Sequence, residues 1–339
     1  IRTYVSPPID DVIDEFYRMS TVSDPINCSF SSALFPVEPI REYRLDVPME
    51  ALSIESDLLP RMLGEGNFCV ASMDSGSFIS GPHLLVNILF VNVGYWYLNH
   101  GSGMGGSGNR ATLYSYGGEF ERPQLKVKDI ETQVVEELIG RMDGSVNILF
   151  LDESLSLSYT MSWNMEDRGK MVEKVCGMID MVMESGVIPI GIYYTRAADI
   201  CRGIIAMRNR DIPLYSDRSI MNRVLSNGAR SPLFMVHSRA IAGKLRLLAF
   251  YLKVSEGNVL RVEFPESLRG LVDKIHLAVL AHSIMGGGYP LALQRAHDMA
   301  VIGAREREVI IETLKEVLNL PSDEYLFSRK WMSKRCPVV

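Results

Sequence analysis

Three short apolar runs stand apart in this chain: residues 68–73 (FCVASM), 146–151 (VNILFL) and 187–194 (VIPIGIYY). Runs of this length, rich in Val, Ile and aromatic residues, suit strands buried on both faces. Amphipathic segments of helical spacing lie between them, at 128–141 and 165–185, long enough to carry the crossover that parallel strands need. Two of the runs pass directly into an aspartate, Asp74 and Asp152. A carboxylate that follows a fully apolar strand must stay at a wet edge or find a cation, because desolvating it alone is too costly. The expected fold is α/β, a mixed central sheet flanked by helices, with two carboxylates at one sheet edge.

Composition narrows the class. Among 339 residues, 47% are hydrophobic and 22% charged, enough apolar surface for a packed core and too much for wholesale disorder. The net charge of −6 argues against a chain that coats nucleic acid by bulk charge and leaves room for a local basic groove. Five scattered cysteines without a C-x-x-C pair read as reduced thiols rather than a disulfide frame or zinc site. The acidic, Pro-containing start lacks the chemistry of a secretory signal. The most apolar stretch, 84–98, is broken by Asn87 and Asn92 and falls short of the roughly 20 residues of a spanning helix. A soluble cytoplasmic protein without membrane attachment is expected.

The chain reads as one domain, 1–339, with an N-terminal arm and helices (1–64), a core (65–265) and C-terminal helices with a tail (266–339). Within it, 24–66 looks like an irregular arm plus a short helix, and 67–74 like a short strand ending in the turn Asp74-Ser75-Gly76-Ser77. Residues 84–98 supply one or two strands, and 111–116 another across a Gly-rich loop. An Arg-rich helix is expected at 196–210, strands in 244–264, and helices at 268–284 and 291–318. The loop GSGMGGSG (101–108) formally matches G-x-G-x-x-G. It leads into strand-like sequence rather than opening a helix, so it is read as a strand connection and not a phosphate cradle.

Two carboxylates at one sheet edge repel one another unless a metal sits between them. Adjacent strand aspartates plus a third acid from a helix are what metal-assisted phosphoryl-transfer sites use, and oxygen ligands suit Mg²⁺ or Mn²⁺. The alternative for either aspartate is a helix cap or turn role. In the helix near Lys128, Glu131 shares the side of Val135 and Leu138, which makes it the preferred third acid over Glu136; a first-turn dipole role is its alternative. His276 and His282 lie in an apolar helix and read as structural, whereas His297 follows a rigid Gly-Tyr-Pro turn. Arg196, Arg202, Arg208 and Arg210 form either a phosphate track or a solvated face.

Taken together, CVASMDSGS (69–77), NILFLDES (147–154), PIGIYYTR (189–196) and GYPLALQRAH (288–297) resemble the NurA nuclease family. The resemblance implies an RNase H-like core, a homodimer around a DNA channel, and Mn²⁺-dependent DNA cleavage, with Mg²⁺ as the alternative ion. It also implies 5′–3′ exonuclease and single-strand endonuclease action beside a HerA-type hexameric ATPase in double-strand-break end resection. Carried onto this chain, the metal ligands are Asp74, Glu131 and Asp152, with His297 beside them as a fourth catalytic residue. Arg196 and Arg202 are the candidate DNA contacts. The sequence departs from the family pattern at Ser75 and at Glu153, where glycine is usual; Glu153 either disturbs the turn or adds a carboxylate. The rival reading is a non-catalytic DNA clamp or adaptor that docks on the ATPase and regulates it. The arm (4–40) and the tail with Arg329, Lys330, Trp331, Lys334 and Arg335 are candidate interaction surfaces under both readings.

Overall fold

The computed structural model describes residues 8–24, 26, 28–47, 67–79, 88–115 and 122–317. The tail residues named above lie outside them. Its strands, in chain order, are β1 (Ser32–Pro36), β2 (Phe68–Ile79), β3 (Ile88–Asn99), β4 (Gly105–Ser115), β5 (Val146–Leu151), β6 (Val187–Tyr193), β7 (Phe234–Ser238), β8 (Leu247–Ser255) and β9 (Asn258–Pro265). The helices are α1 (Ile9–Tyr17), α2 (Pro123–Ile139), α3 (Met165–Glu184), α4 (Asp199–Arg208), α5 (Asp217–Val224), α6 (Val272–Met285), α7 (Leu291–Ala300) and α8 (Ala304–Val317).

All nine strands form one sheet in the order β1-β7-β8-β9-β6-β5-β2-β3-β4. β2, β5 and β6, the three apolar runs, are parallel neighbours, while β2-β3-β4 is an antiparallel meander. A three-stranded meander beside two parallel strands is the RNase H-like arrangement, here extended by β9, β8, β7 and β1. Side chains alternate across the sheet. Ala71, Met73, Leu149 and Leu151 pack under α1 to α5 with Val134, Val135, Val175 and Ile179. Phe68, Val70, Ile148 and Phe150 pack under α6 and α7 with Ala278, Ala292 and Leu293.

Several expectations change. Residues 74–77 are not a turn: β2 runs on to Ile79, because Asp74 to Ile79 pair with Gly94 to Leu89 of β3. Asp74 therefore lies inside a strand, level with the point where the parallel partner β5 stops at Leu151. Half of the Gly-rich segment is strand as well. Gly105, Gly106 and Gly108 lie in β4, where a Cβ at Gly106 or Gly108 would press on Tyr97 or Tyr95. The N-terminal arm contributes a strand, β1, paired with β7. The expected helix 291–318 is two helices, since Val301 is extended at the end of α7. β7 and α5 lie in a stretch for which the sequence pattern predicts no element.

Beneath α4 and α5 the sheet holds a buried ionic network. Arg261 on β9 is 1% exposed and donates to Asp199 at 2.7 Å, with Glu263 at 2.8 Å. Tyr251 donates to Asp217 at 2.6 Å, and the backbone of Asp199 and Ile200 donates to the same carboxylate. Glu263 in turn accepts from Tyr193 Oη, Ser154 Oγ and the Ser156 amide, tying down the loop after β5. Arg202, expected on a phosphate track, belongs here: it donates to Asp199 and to Ser32 of β1.

Burial, together with the neighbouring Asp199 charge, pushes the Asp217 carboxyl up to about 7. Against an unfolded value of about 3.9, the folded state then holds a proton more tightly. That stability is fully present below the unfolded value and is lost as pH rises through the folded one. Urea unfolding across this window should show stability falling with rising pH, and Asp217→Asn should flatten the slope while lowering stability throughout. An unchanged slope in the variant would refute the assignment.

Candidate active site

The site forms where α7 lies against β2 and β3. Two glycines permit the approach: a Cβ at Gly76 would strike the Ala300 carbonyl, and one at Gly94 would strike the backbone of Ala296, Met299 and Ala300. Ser72 donates to the Ala292 carbonyl at 2.6 Å, and Asn92 donates to the Met299 and Ala300 carbonyls at 2.9 and 3.1 Å. The Asn92 bonds satisfy C-terminal helix carbonyls that would otherwise lack partners, and together with the Ser72 bond they fix the rotation of α7. The His297 ring is thereby set 2.6 Å, Nδ1 to Oδ2, from Asp74. The other Asp74 oxygen accepts the Ser75 amide at 2.8 Å.

Asp152 follows β5 immediately, on the same sheet face. Its Oδ1 accepts from Tyr289 Oη at 2.6 Å; among the described residues no hydrogen bond reaches Oδ2. Asp152 is open to the cleft, yet the protein around its base raises its carboxyl, and the facing Asp74 adds to the rise; the Tyr289 bond and His297 oppose it. Asp74, Asp152, His297 and Tyr289 thus converge. Tyr289 lies inside the GYPLALQRAH segment, where residue type alone does not mark it as functional; the turn that fixes it, with Gly287 and Gly288 at positive φ, is the signal the sequence offers. A cleft of about 550 Å³ opens beside them, lined by Asp152, Tyr193, Tyr194, Tyr289, Gln294 and His297.

Glu131 is buried on α2, as its helical phase implied, but on the opposite sheet face. Its Oε1 accepts from Ser75 Oγ at 2.6 Å, and its Oε2 pairs with Lys128. Lys128 also bonds Glu153 at 2.6 Å. Burial works to lower the Lys128 ammonium, and Glu131 and Glu153 outweigh it, so its pKa rises. Glu153 is raised, chiefly by burial. The unusual Glu153 therefore neither disorders the turn nor stands free; a buried lysine, which composition alone assigns to solvent, absorbs it. Arg196 is exposed two residues beyond Tyr194.

Carboxylate oxygens suit Mg²⁺ or Mn²⁺, and the Asp74–Asp152 pair, mutually repulsive and partly open, fits such an ion. Glu131 is held by Lys128 and Ser75 instead. Among the described residues, no three His, Cys, Asp or Glu side chains converge as around an ion. His276 and His282 are structural, as expected. His276 meets the Gly228 carbonyl, and His282 meets His100 at 3.1 Å.

The fold is an RNase H-like mixed sheet in which Asp152, following the end of β5, faces Asp74 inside β2. Residues 143–302 match the NurA domain family model, a span that includes Asp152, Tyr289 and His297. Among solved structures, the NurA nuclease from Sulfolobus solfataricus is 16% identical, covering 84% of this chain and 89% of that one with a TM-score of 0.57. Another NurA structure is 9% identical, covering 94% and 96%, at 0.45; one with manganese is 9% identical, covering 76% and 90%, at 0.42. No curated protein sequence matches significantly. Among the described residues no helix is long and apolar enough to cross a membrane.

Breaking a buried ion pair by removing one partner leaves uncompensated charge and costs about 3–5 kcal/mol. Lys128→Ala should lose stability on that scale in urea unfolding at neutral pH, and adding Glu153→Gly should recover part of it. Equal stability of Lys128→Ala and the parent would show the cluster to be solvated.

Proposed function

We propose that this chain is a metal-dependent DNA nuclease, a phosphodiester hydrolase of the cytoplasm. The observation that carries the reading is the convergence of Asp74, Asp152, Tyr289 and His297 on one cleft. Asp74 and Asp152 would hold Mn²⁺ or Mg²⁺. Such an ion, when bound, supplies Lewis acidity at the phosphodiester.

The chain's own groups do the rest. Tyr289 orients the Asp152 carboxylate. Asp74 holds the Nδ1 side of His297, which leaves Nε2 of the half-open ring to accept or return a proton at the scissile phosphate. The loop after β5 is braced by Glu263, so the Asp152 position is rigid. Exonuclease and single-strand endonuclease action, a homodimeric assembly, and work with a HerA-type ATPase in end resection follow from the NurA resemblance. The adaptor reading, which drew on Glu153, predicts instead metal-independent stimulation of the ATPase with no DNA degradation.

End-labelled linear and single-stranded DNA should be degraded by the purified protein with Mn²⁺ and not with EDTA. Asp74→Ala and Asp152→Ala should each lower the rate by at least about 100-fold with circular dichroism unchanged. Parental cleavage rates in both folded variants would overturn the proposal. Tyr289→Phe should give a smaller loss.

A further inference from the structure

The cleft is acidic where a DNA strand must enter. Asp74, Asp152 and Asp298 border it or lie within it, and the whole chain carries a net charge of −6. A polyanionic strand approaching these carboxylates needs a cation at the rim. Most arginines nearby in sequence are committed elsewhere: Arg202 to Asp199, Arg208 and Arg210 to Glu15, Arg223 to Asp10.

Arg218, on α5, differs. It is exposed and makes no ion pair among the described residues. Its guanidinium carbon sits 5.2 Å from the centroid of the Tyr194 ring, and it donates to the Gly257 carbonyl. Tyr194 is a wall of the cleft and is 47% exposed. Its ring stacks on Tyr289 at 5.3 Å and 26°, and its hydroxyl donates to Asn258 at 2.9 Å. Asn258 in turn donates to the Gly288 carbonyl at 2.6 Å. Arg218 and Asp152 act on the phenol of Tyr194 with opposing charge.

We propose that Arg218, presented by the Tyr194 ring, is a phosphate-binding residue for the single strand whose scissile bond lies at Asp74 and Asp152. Tyr194 is its positioning residue: ring and guanidinium are held together by cation–π attraction, and the Tyr289 stack and the Asn258 bond fix the ring relative to the carboxylates. The ligand class is a nucleic-acid backbone, bound without sequence preference. This assignment rests on the nuclease reading above.

Binding of a fluorescent oligothymidylate, followed by anisotropy in EDTA across a salt series, tests it without cleavage. Removing one cation that neutralises a phosphate of a single strand lowers the slope of log K against log salt by about 0.7. Arg218→Ala should show that decrease and bind several-fold more weakly at moderate salt, with an unchanged melting temperature; Arg218→Lys should restore most of the slope. Tyr194→Leu should weaken binding, and Tyr194→Phe, which keeps the ring and its stack and loses only the Asn258 bond, should weaken it less, a difference a merely structural tyrosine would not produce. A parental slope in Arg218→Ala overturns the assignment of Arg218 and leaves the nuclease reading standing. Absence of salt-dependent binding by the parent overturns both.

Discussion

The site depends on how closely a helix can lie on a sheet. A helix and a sheet normally stay apart by the thickness of their side chains, and α7 comes nearer because Gly76 and Gly94 present none. Gly94 is the cross-strand partner of Asp74, so the missing side chain and the candidate catalytic carboxylate occupy one register. With the Ser72 and Asn92 bonds added, α7 has one rotation and one depth. That geometry brings His297 to Asp74 and sets the preceding turn so that Tyr289 reaches Asp152. A larger residue at Gly94 would push α7 away, and with it His297 and the turn that carries Tyr289.

Charge is handled in two separate places. On one sheet face the carboxylates stay near water, held by a tyrosine and a histidine. On the other, Lys128 closes Glu131 and Glu153 into a buried triad, and farther along Arg261 gathers Asp199, Asp217 and Glu263. Buried ion pairs gain little over apolar packing but are costly to break. Their effect here is geometric: Glu263 ties the loop that carries Asp152 onward, and Lys128 holds α2 to that same loop.

The fold was legible where one residue pattern had one outcome. The runs at 68–73, 146–151 and 187–193 are predominantly apolar, with Ser72 and Asn147 the polar exceptions, and buried strands suit them. Asp-Ser-Gly-Ser at 74–77 carries turn chemistry, yet pairing with β3 across the sheet overrides it, a tertiary effect that no local pattern contains. β1 and β7 are five residues each and too short for periodicity to register. At the site, the inward phase of Glu131 followed from helical spacing, whereas its partner did not, because a lysine in a helix is expected to face water. Separation of the acids onto two faces depends on the pleat. Once β2 is a strand through residue 75, adjacent residues Asp74 and Ser75 must diverge, and Glu131 follows Ser75.

Lys128 has one further consequence. Clustered carboxylates usually oblige a protein to wait for an ion from solution before the surrounding chain can settle. This chain brings its own counter-charge for Glu131 and Glu153 on the helix that carries Glu131, so this buried acidic pair can close during folding with no outside help. A chelator would then reach a scaffold already closed around these two acids.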